Sequence, residues 1–383
     1  MARRGTGEGS VFKRDEDNLW IGSIELPRGP NGERRKKRVS ARTKSEVLRK
    51  LEEARTRRGQ GLAPAPKKLS VAEFLESWLS TTLPASQRIK PTTLANYTSI
   101  VEGYINPSIG NVKVVTLNTG HVERMLLDLQ ERGLSGNTQR LARSVLRRAL
   151  VTAEKRGLVM RNVAALTDGP QIDDARTGRT MTPTQAQKLL AAAAGHQLEV
   201  FVVVGIGLGL RPGETLALQW SGIDLRNRHL TVAGTLARVP GQGLVRSTPK
   251  TAGSRRMLHL TDRATAALRT HRTAQNAVRL EAGPDWEDHG YVLCTDIGRP
   301  LDPANVRHRF EDLTEQVLGD VWRPHEMRHS AASLLLAQGV PLRRISDILG
   351  HSSISVTSDV YGHLAPAALA EDIELLDRTI GAL

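Results

Sequence analysis

The chain has 383 residues, 39% hydrophobic and 25% charged, with 54 Lys+Arg against 40 Asp+Glu and a formal net charge of +14. That balance fits about two or three globular domains and excludes a disordered or collagen-like chain, while a single cysteine, Cys294, excludes a disulfide framework and a Cys-rich zinc module. The N-terminal MARRGTGEGS lacks the apolar run of a signal peptide, and the longest apolar stretch, Val200 to Leu210, is too short to span a bilayer, so a cytoplasmic protein is expected.

The positive charge is unevenly placed. Residues 1–66 hold 17 Lys+Arg and 9 Asp+Glu, residues 67–173 hold 14 and 9, and the remaining 210 residues hold 23 and 22. The excess therefore lies almost wholly in the first 173 residues. A polyanion such as DNA or RNA suits that surplus, because each phosphate neutralised releases condensed counterions.

In chain order, Ser10 to Arg14, Leu19 to Glu25 and Arg34 to Ser40 alternate as short strands, with turns at Asp15 to Asn18 and Pro27 to Gly32. Thr43 to Arg58 reads as a charged helix ended by Gly59 and Gly61. The third strand carries Arg34, Arg35, Lys36, Lys37 and Arg38, cations on both faces, which suits a strand laid into a DNA groove; a basic edge strand that blocks aggregation is the alternative use. Gly61 to Pro66 reads as a linker.

Residues 69–165 are helical by period, over Val71 to Leu79, Pro91 to Tyr104, Thr119 to Glu131 and Gly136 to Lys155. In the last of these, Arg140, Arg143 and Arg147 lie roughly opposite Ala142, Val145 and Ala149, so one face packs while the other presents positive charge to solvent or phosphate. Thr167 to Thr180 is a second linker. A capping box with proline at the first helical position, Thr182-Pro183-Thr184-Gln185, starts the next helix. Beyond it the chain is mixed: helices bracket Ile223 to Leu260, where His229 to Val232, Leu244 to Arg246 and Arg255 to Leu260 suggest a small antiparallel sheet.

Four segments of this C-terminal part could carry chemistry. Gly207 to Glu214 ends an apolar helix and opens another at Pro212, with Arg211 disfavoured in α conformation and placed where free N–H groups favour an anion. Thr248 to Arg256 puts Lys250 in or beside a β-turn. Pro324-His325-Glu326-Met327-Arg328-His329 places His325 and Arg328 on one helix face. Leu349-Gly350-His351-Ser352 is followed, ten residues after His351, by Tyr361 in a polar segment.

In this order, the segments resemble the catalytic domain of tyrosine recombinases, the phage and mobile-element integrase family. The family pattern is an Arg within Gly-Leu-Arg-x-x-Glu, a hairpin Lys, a His-x-x-Arg-His run, a Leu-Gly-His run and a Tyr about ten residues later. Arg211, Lys250, His325, Arg328, His351 and Tyr361 fill the six catalytic positions, with Glu214 and His329 beside them. The resemblance implies a multidomain protein: a small N-terminal α+β arm-binding domain of three strands and a helix (1–62), an all-α core-binding domain (67–166), a linker (167–180), and a mixed, mainly α catalytic domain with a small antiparallel sheet and a C-terminal tail helix (181–383).

It also implies a site-specific recombinase of a phage or integrative element, acting as a homotetramer on two double-stranded DNA sites, core and arm, in a bacterial cytoplasm. Cleavage passes through a 3′-phosphotyrosyl bond on Tyr361. Arg211 and Arg328 hold the non-bridging oxygens, Lys250 protonates the leaving 5′-oxygen, His325 partners the tyrosine's proton and His351 donates to the phosphate. The covalent intermediate keeps the phosphodiester energy, so no cofactor, metal or ATP is expected. A host DNA-bending protein and a directionality factor are further partners the family admits. Leu369, Ile373, Leu376 and Ile380 form a helical stripe after the tyrosine, of a kind that packs on its own domain or, as the resemblance implies, docks on a neighbouring subunit.

Two other classes fit fewer residues. His325-Glu326-x-x-His329 matches the zinc-protease helix, with His351 as a third ligand. The extended form of that motif needs Gly at 332 and His at 335, where the chain has Ala332 and Leu335. A guanidinium at Arg328 is also a poor neighbour for a dication. The remaining class, a non-catalytic DNA-binding regulator, would normally have lost at least one of the six positions.

Overall fold

The computed structural model describes residues 10–14, 16–26, 35–59, 68–86, 89–171, 178–248 and 255–350. The chain divides into two compact units, residues 1–173 and 174–383. It is rich in helix, with small antiparallel sheets. No helix among the described residues is long and apolar enough to cross a membrane.

Unit 1 contains two separate apolar cores. In the first, β1 (Ser10–Arg14), β2 (Leu19–Leu26) and β3 (Arg35–Ala41) form an antiparallel meander backed by α1 (Lys44–Gly59). Ile24, Val39 and Ala41 meet Val47 and Leu51 of the helix. Gly22 permits that contact, because a Cβ there would stand 2.7 Å from both Val47 and Leu51. On β3, Lys36 and Arg38 are exposed.

The second core belongs to α2 (Val71–Ser77), α3 (Leu83–Ala85), α4 (Pro91–Ile100), α5 (Asn106–Ile109), α6 (Thr119–Glu131), α7 (Gly136–Lys155) and α8 (Val163–Leu166). Two helices run further than the sequence suggests. A π-helical turn at Trp78–Thr82 carries α2 on into α3 and past Pro84, and another at Val101–Ile105 carries α4 into α5 and past Pro107. A proline ring clashes with the carbonyl four residues back, here Ser80 and Gly103, and each of those lies inside a π turn, whose wider winding relieves the clash.

Unit 2 is built on α10 (Glu199–Gly207), whose residues Val200 to Ile206 are all buried. Packed around it are α9 (Pro183–Ala192), α12 (Asp262–Ala282) and α14 (Pro324–Ala337), and the other helices among the described residues are α11 (Pro212–Leu216), α13 (Pro303–Leu318) and α15 (Leu342–Leu349). Gly205 brings α14 close, since a Cβ there would lie 2.7 Å from the Met327 methyl carbon. The strands form two small sheets rather than the single one expected. β4 (Ile223–Asp224), β5 (His229–Val232) and β8 (Arg256–His259) make one, and β6 (Thr235–Val239) and β7 (Gly243–Ser247) the other. β6 has no clean alternation to betray it: Leu236 and Val239 are the buried pair, three apart.

Separate cores imply separate unfolding transitions. Trp78, 1% exposed and stacked on Tyr97, anchors the helical core of unit 1, and Phe310, fully buried, that of unit 2. Trp78→Ala is expected to cost about 3–5 kcal/mol and to lower only the calorimetric transition of the helical core of unit 1, with Phe310→Ala lowering that of unit 2.

Candidate active site

The site begins where α10 stops. Gly209 takes a left-handed conformation, φ +64°, and a Cβ there would lie 2.5 Å from a Leu349 methyl of α15, so glycine is required twice over. The Gly209 carbonyl accepts a hydrogen bond from Arg328 Nη1 at 2.9 Å, which ties α14 to the turn. Arg211 follows in extended conformation, as a residue before proline should, and caps α11. The anion at that helix start is the chain's own: Glu214 accepts from the Arg211 backbone N–H at 3.0 Å and from its Nη1 at 2.8 Å.

Glu214 is the hub. Its side chain is 7% exposed and also receives Arg256, Nη2 to Oε2 at 3.0 Å and Nη1 to Oε1 at 3.4 Å. Burial alone would raise its pKa. The hydrogen bond and charge of Arg256, joined by the N–H and charge of Arg211, outweigh burial and hold the carboxyl below its ordinary value. Arg256 is equally buried, whereas Arg211 keeps 36% of its side chain in solvent. One arginine is structural ballast for the carboxylate, and the other remains open to a ligand.

Helix α14 supplies the next residues. Pro324 sits at its first position, and Glu326 accepts from the Arg323 backbone N–H at 2.6 Å. Arg328 is buried behind the Gly209 turn. His325 is exposed on the surface of the site, yet its pKa is lowered, first by desolvation of the side turned inward and then by the charges of His329, Arg328 and Arg211, with Glu214 opposing. That list of neighbours places Arg211, Glu214, His325 and Arg328 in one site. His329, half-buried, has its ring against Gly178, where a Cβ would approach to 3.0 Å; desolvation and Arg328 lower its pKa. Both imidazoles are therefore biased toward the neutral, proton-accepting form at neutral pH.

Lys250, His351 and Tyr361 lie outside the described residues, as do Arg34 and the tail stripe Leu369, Ile373, Leu376 and Ile380. Arg35 and Lys37 lie on β3, with their side chains outside the described set. On α7, Arg140 and Arg147 are exposed as expected. Arg143 is not free on that face: it is half-buried and donates to the Thr167 carbonyl, because it sits at the edge of the stripe nearest the segment after α8. Arg256 was given no role by the motif. An arginine sharing the inward face of a strand with buried Leu258 was the available signal.

Residues 179–368 match the phage integrase family, and residues 70–129 match the N-terminal SAM-like domain of phage integrases. An integrase of Streptomyces ambofaciens is 34% identical over 371 residues, covering 94% of this chain and 93% of that protein. A XerC-like tyrosine recombinase of Caldanaerobacter subterraneus is 25% identical over 93% of this chain and 95% of its own. Among solved structures, the Tn1549 transposon integrase in complex with a circular intermediate DNA superposes with a TM-score of 0.68 at 20% identity, over 80% of this chain and 99% of that one. A lambda integrase dimer bound to a core site gives 0.54 at 19% identity, over 94% and 96%.

The chain belongs to the phage integrase family of tyrosine recombinases, enzymes that cleave and rejoin DNA in site-specific recombination. Nothing in these likenesses supports a zinc protease or a non-catalytic regulator, and Glu326, the base such a protease would need, is engaged as a helix cap.

The buried carboxylate makes a testable claim about pH. Because the folded-state pKa of Glu214 is depressed, its stabilisation is present above the unfolded carboxylate value, about 4.3, and is lost as pH falls through the folded value. Glu214→Gln is expected to destabilise unit 2 by about 3 kcal/mol at neutral pH. In urea melts the gap to wild type should close as the pH drops below about 4.

Proposed function

We propose that this integrase cleaves DNA through Tyr361. The phenolic oxygen attacks the scissile phosphorus, a 3′-phosphotyrosyl bond forms, and the bond to the 5′-oxygen breaks. His325 takes the phenolic proton and Lys250 gives a proton to the leaving oxygen, so a 5′-hydroxyl departs. Arg211 and Arg328 offer paired N–H donors to the non-bridging oxygens as charge builds on the pentacoordinate phosphorus, and His351 adds a further donor. Attack of a different 5′-hydroxyl on the phosphotyrosine rejoins the strands without an energy source.

The observation that carries this reading is the pairing of a half-exposed Arg211 with a buried Glu214, beside a His325 whose surroundings keep it neutral. Arg211 is oriented by the carboxylate, and it has an open edge. A neutral imidazole can accept the tyrosine's proton, which a protonated one cannot.

The same reading assigns residues 1–62 to arm-type DNA, through Arg34, Arg35, Lys36, Lys37 and Arg38, and residues 67–166 to the core site. There Arg140 and Arg147 face solvent and suit phosphate contacts. Residues 167–180 form the linker, and 181–383 the catalytic domain, with its tail stripe coupling subunits in a tetramer on two sites. The element is a phage or an integrative element. The named relatives support this picture: the lambda integrase is a dimer on a core site in one structure and a tetramer on a Holliday junction in another.

The test is covalent capture. On a nicked duplex carrying the circular-junction sequence of the encoding element, wild type is expected to give a denaturant-stable protein–DNA adduct, with a nucleotide remnant on the Tyr361 peptide by mass spectrometry. Tyr361→Phe should bind the duplex and give none. An adduct on another residue, or one that survives in Tyr361→Phe, would refute the assignment.

A further inference from the structure

Arg256 occupies a position that no catalytic role explains. Its side chain is 7% exposed, so it cannot reach DNA, yet its Nε, Nη1 and Nη2 each donate to a group next to residues read as catalytic. On one side it grips Glu214, the carboxylate that orients Arg211. On the other, Nε donates to the Ile348 carbonyl at 2.7 Å, in the last turn of α15. Gly350 ends that helix in a left-handed turn, φ 68°, and lies so close that a Cβ would stand 2.8 Å from Arg256 Nη1. The next residue is His351. In sequence, Arg256 also follows Lys250 by six residues.

We infer that Arg256 is a positioning residue that fixes Arg211, through Glu214, and the turn into His351, through Ile348 and Gly350, with a single planar fork. The inference rests on the reading that Arg211 and His351 act on the scissile phosphate. The chemistry demands arginine. A carboxylate and a helix carbonyl lie on different edges of the group, and a guanidinium presents donors to both in fixed directions. Lysine offers one compact charge on a flexible stem. Positive charge at a helix C-terminus is favourable as well, since the last carbonyls carry the negative end of the dipole.

If one group sets two catalytic segments, its loss should slow chemistry without weakening DNA binding. The probe is the same nicked duplex, used with full-length wild type, Arg256→Gln, Arg256→Lys and Arg211→Gln. Both Arg256 variants are expected to bind within about twofold of wild type and to cleave about 100-fold more slowly, a loss of the size that misplacement by about 1 Å produces. Arg256→Lys keeps the charge and guards against a folding defect; its thermal transition should match wild type while its cleavage does not.

A pH profile separates positioning from bulk stability. Glu214 faces Arg211 from its own helix, Arg256 from β8 and His325 from α14. Without Arg256 the buried carboxylate loses its stronger partner and takes up a proton more readily, so the Arg256→Gln deficit should deepen as the pH is lowered. Hydrogen exchange on the free protein adds a second signature: Arg256→Gln should loosen 211–216 and 342–350 together, Arg211→Gln the first alone. Wild-type cleavage by Arg256→Lys, or by Arg256→Gln while Arg211→Gln is inactive, overturns the role of Arg256. Wild-type cleavage by Arg211→Gln overturns the reading beneath it.

Discussion

A carboxylate buried between two guanidinium groups organises unit 2. Glu214 cannot be taken out of water uncompensated, because an isolated buried charge costs several kcal/mol. Arg256 from β8 and Arg211 from the preceding turn must therefore both be in place when α11 packs. The constraint acts in one direction only: Arg256 is sealed inside, and Arg211 is left with an outer edge. An interior charge requirement is thereby converted into an oriented cation at the surface.

That arrangement needs close approach of several elements, and small residues provide it. Gly205 admits Met327 of α14, Gly209 admits Leu349 of α15, and Gly213 lies where a Cβ would meet Thr235 Oγ1 at 2.6 Å and the Leu236 carbonyl at 2.8 Å on β6. Of three glycines spaced four apart, Gly205 and Gly209 thus set the distances from the end of α10 to the helix carrying His325 and Arg328 and to the helix leading to His351, and Gly213 sets the distance from α11 to β6. Arg328 closes the same junction through the Gly209 carbonyl. Close packing also explains the histidines, since desolvation first and neighbouring cations second disfavour their protonation.

The sequence was legible where chemistry is written in local motifs. Arg211, Glu214, His325, Arg328 and His329 could be picked out because their order and local contexts resemble the family pattern, and Arg211, Glu214, His325 and Arg328 lie near one another in the structure. Arg256 was not legible, because its role depends on a carbonyl ninety-two residues away in Ile348 and no local pattern encodes that meeting. Helix ends failed for a related reason. The helices expected to end at Leu79 and Tyr104 run on past Pro84 and Pro107, each through a π turn whose winding only the packed core of unit 1 selects. The stripe on α7 was right in period and wrong in detail: Arg140 and Arg147 face solvent, while Arg143 turns back to the Thr167 carbonyl.

The central claim is that Arg211, held by Glu214, supplies positive charge to the scissile phosphate. Replacing that phosphate by a neutral methylphosphonate tests it most directly, since the demand for charge is removed while the site stays intact. Arg211→Ala should fail on the normal duplex and regain Tyr361-dependent cleavage on the methylphosphonate duplex. Equal inactivity of Arg211→Ala on both duplexes, with wild type active on each, would contradict the account and leave Arg211 a part of the fold rather than of the chemistry.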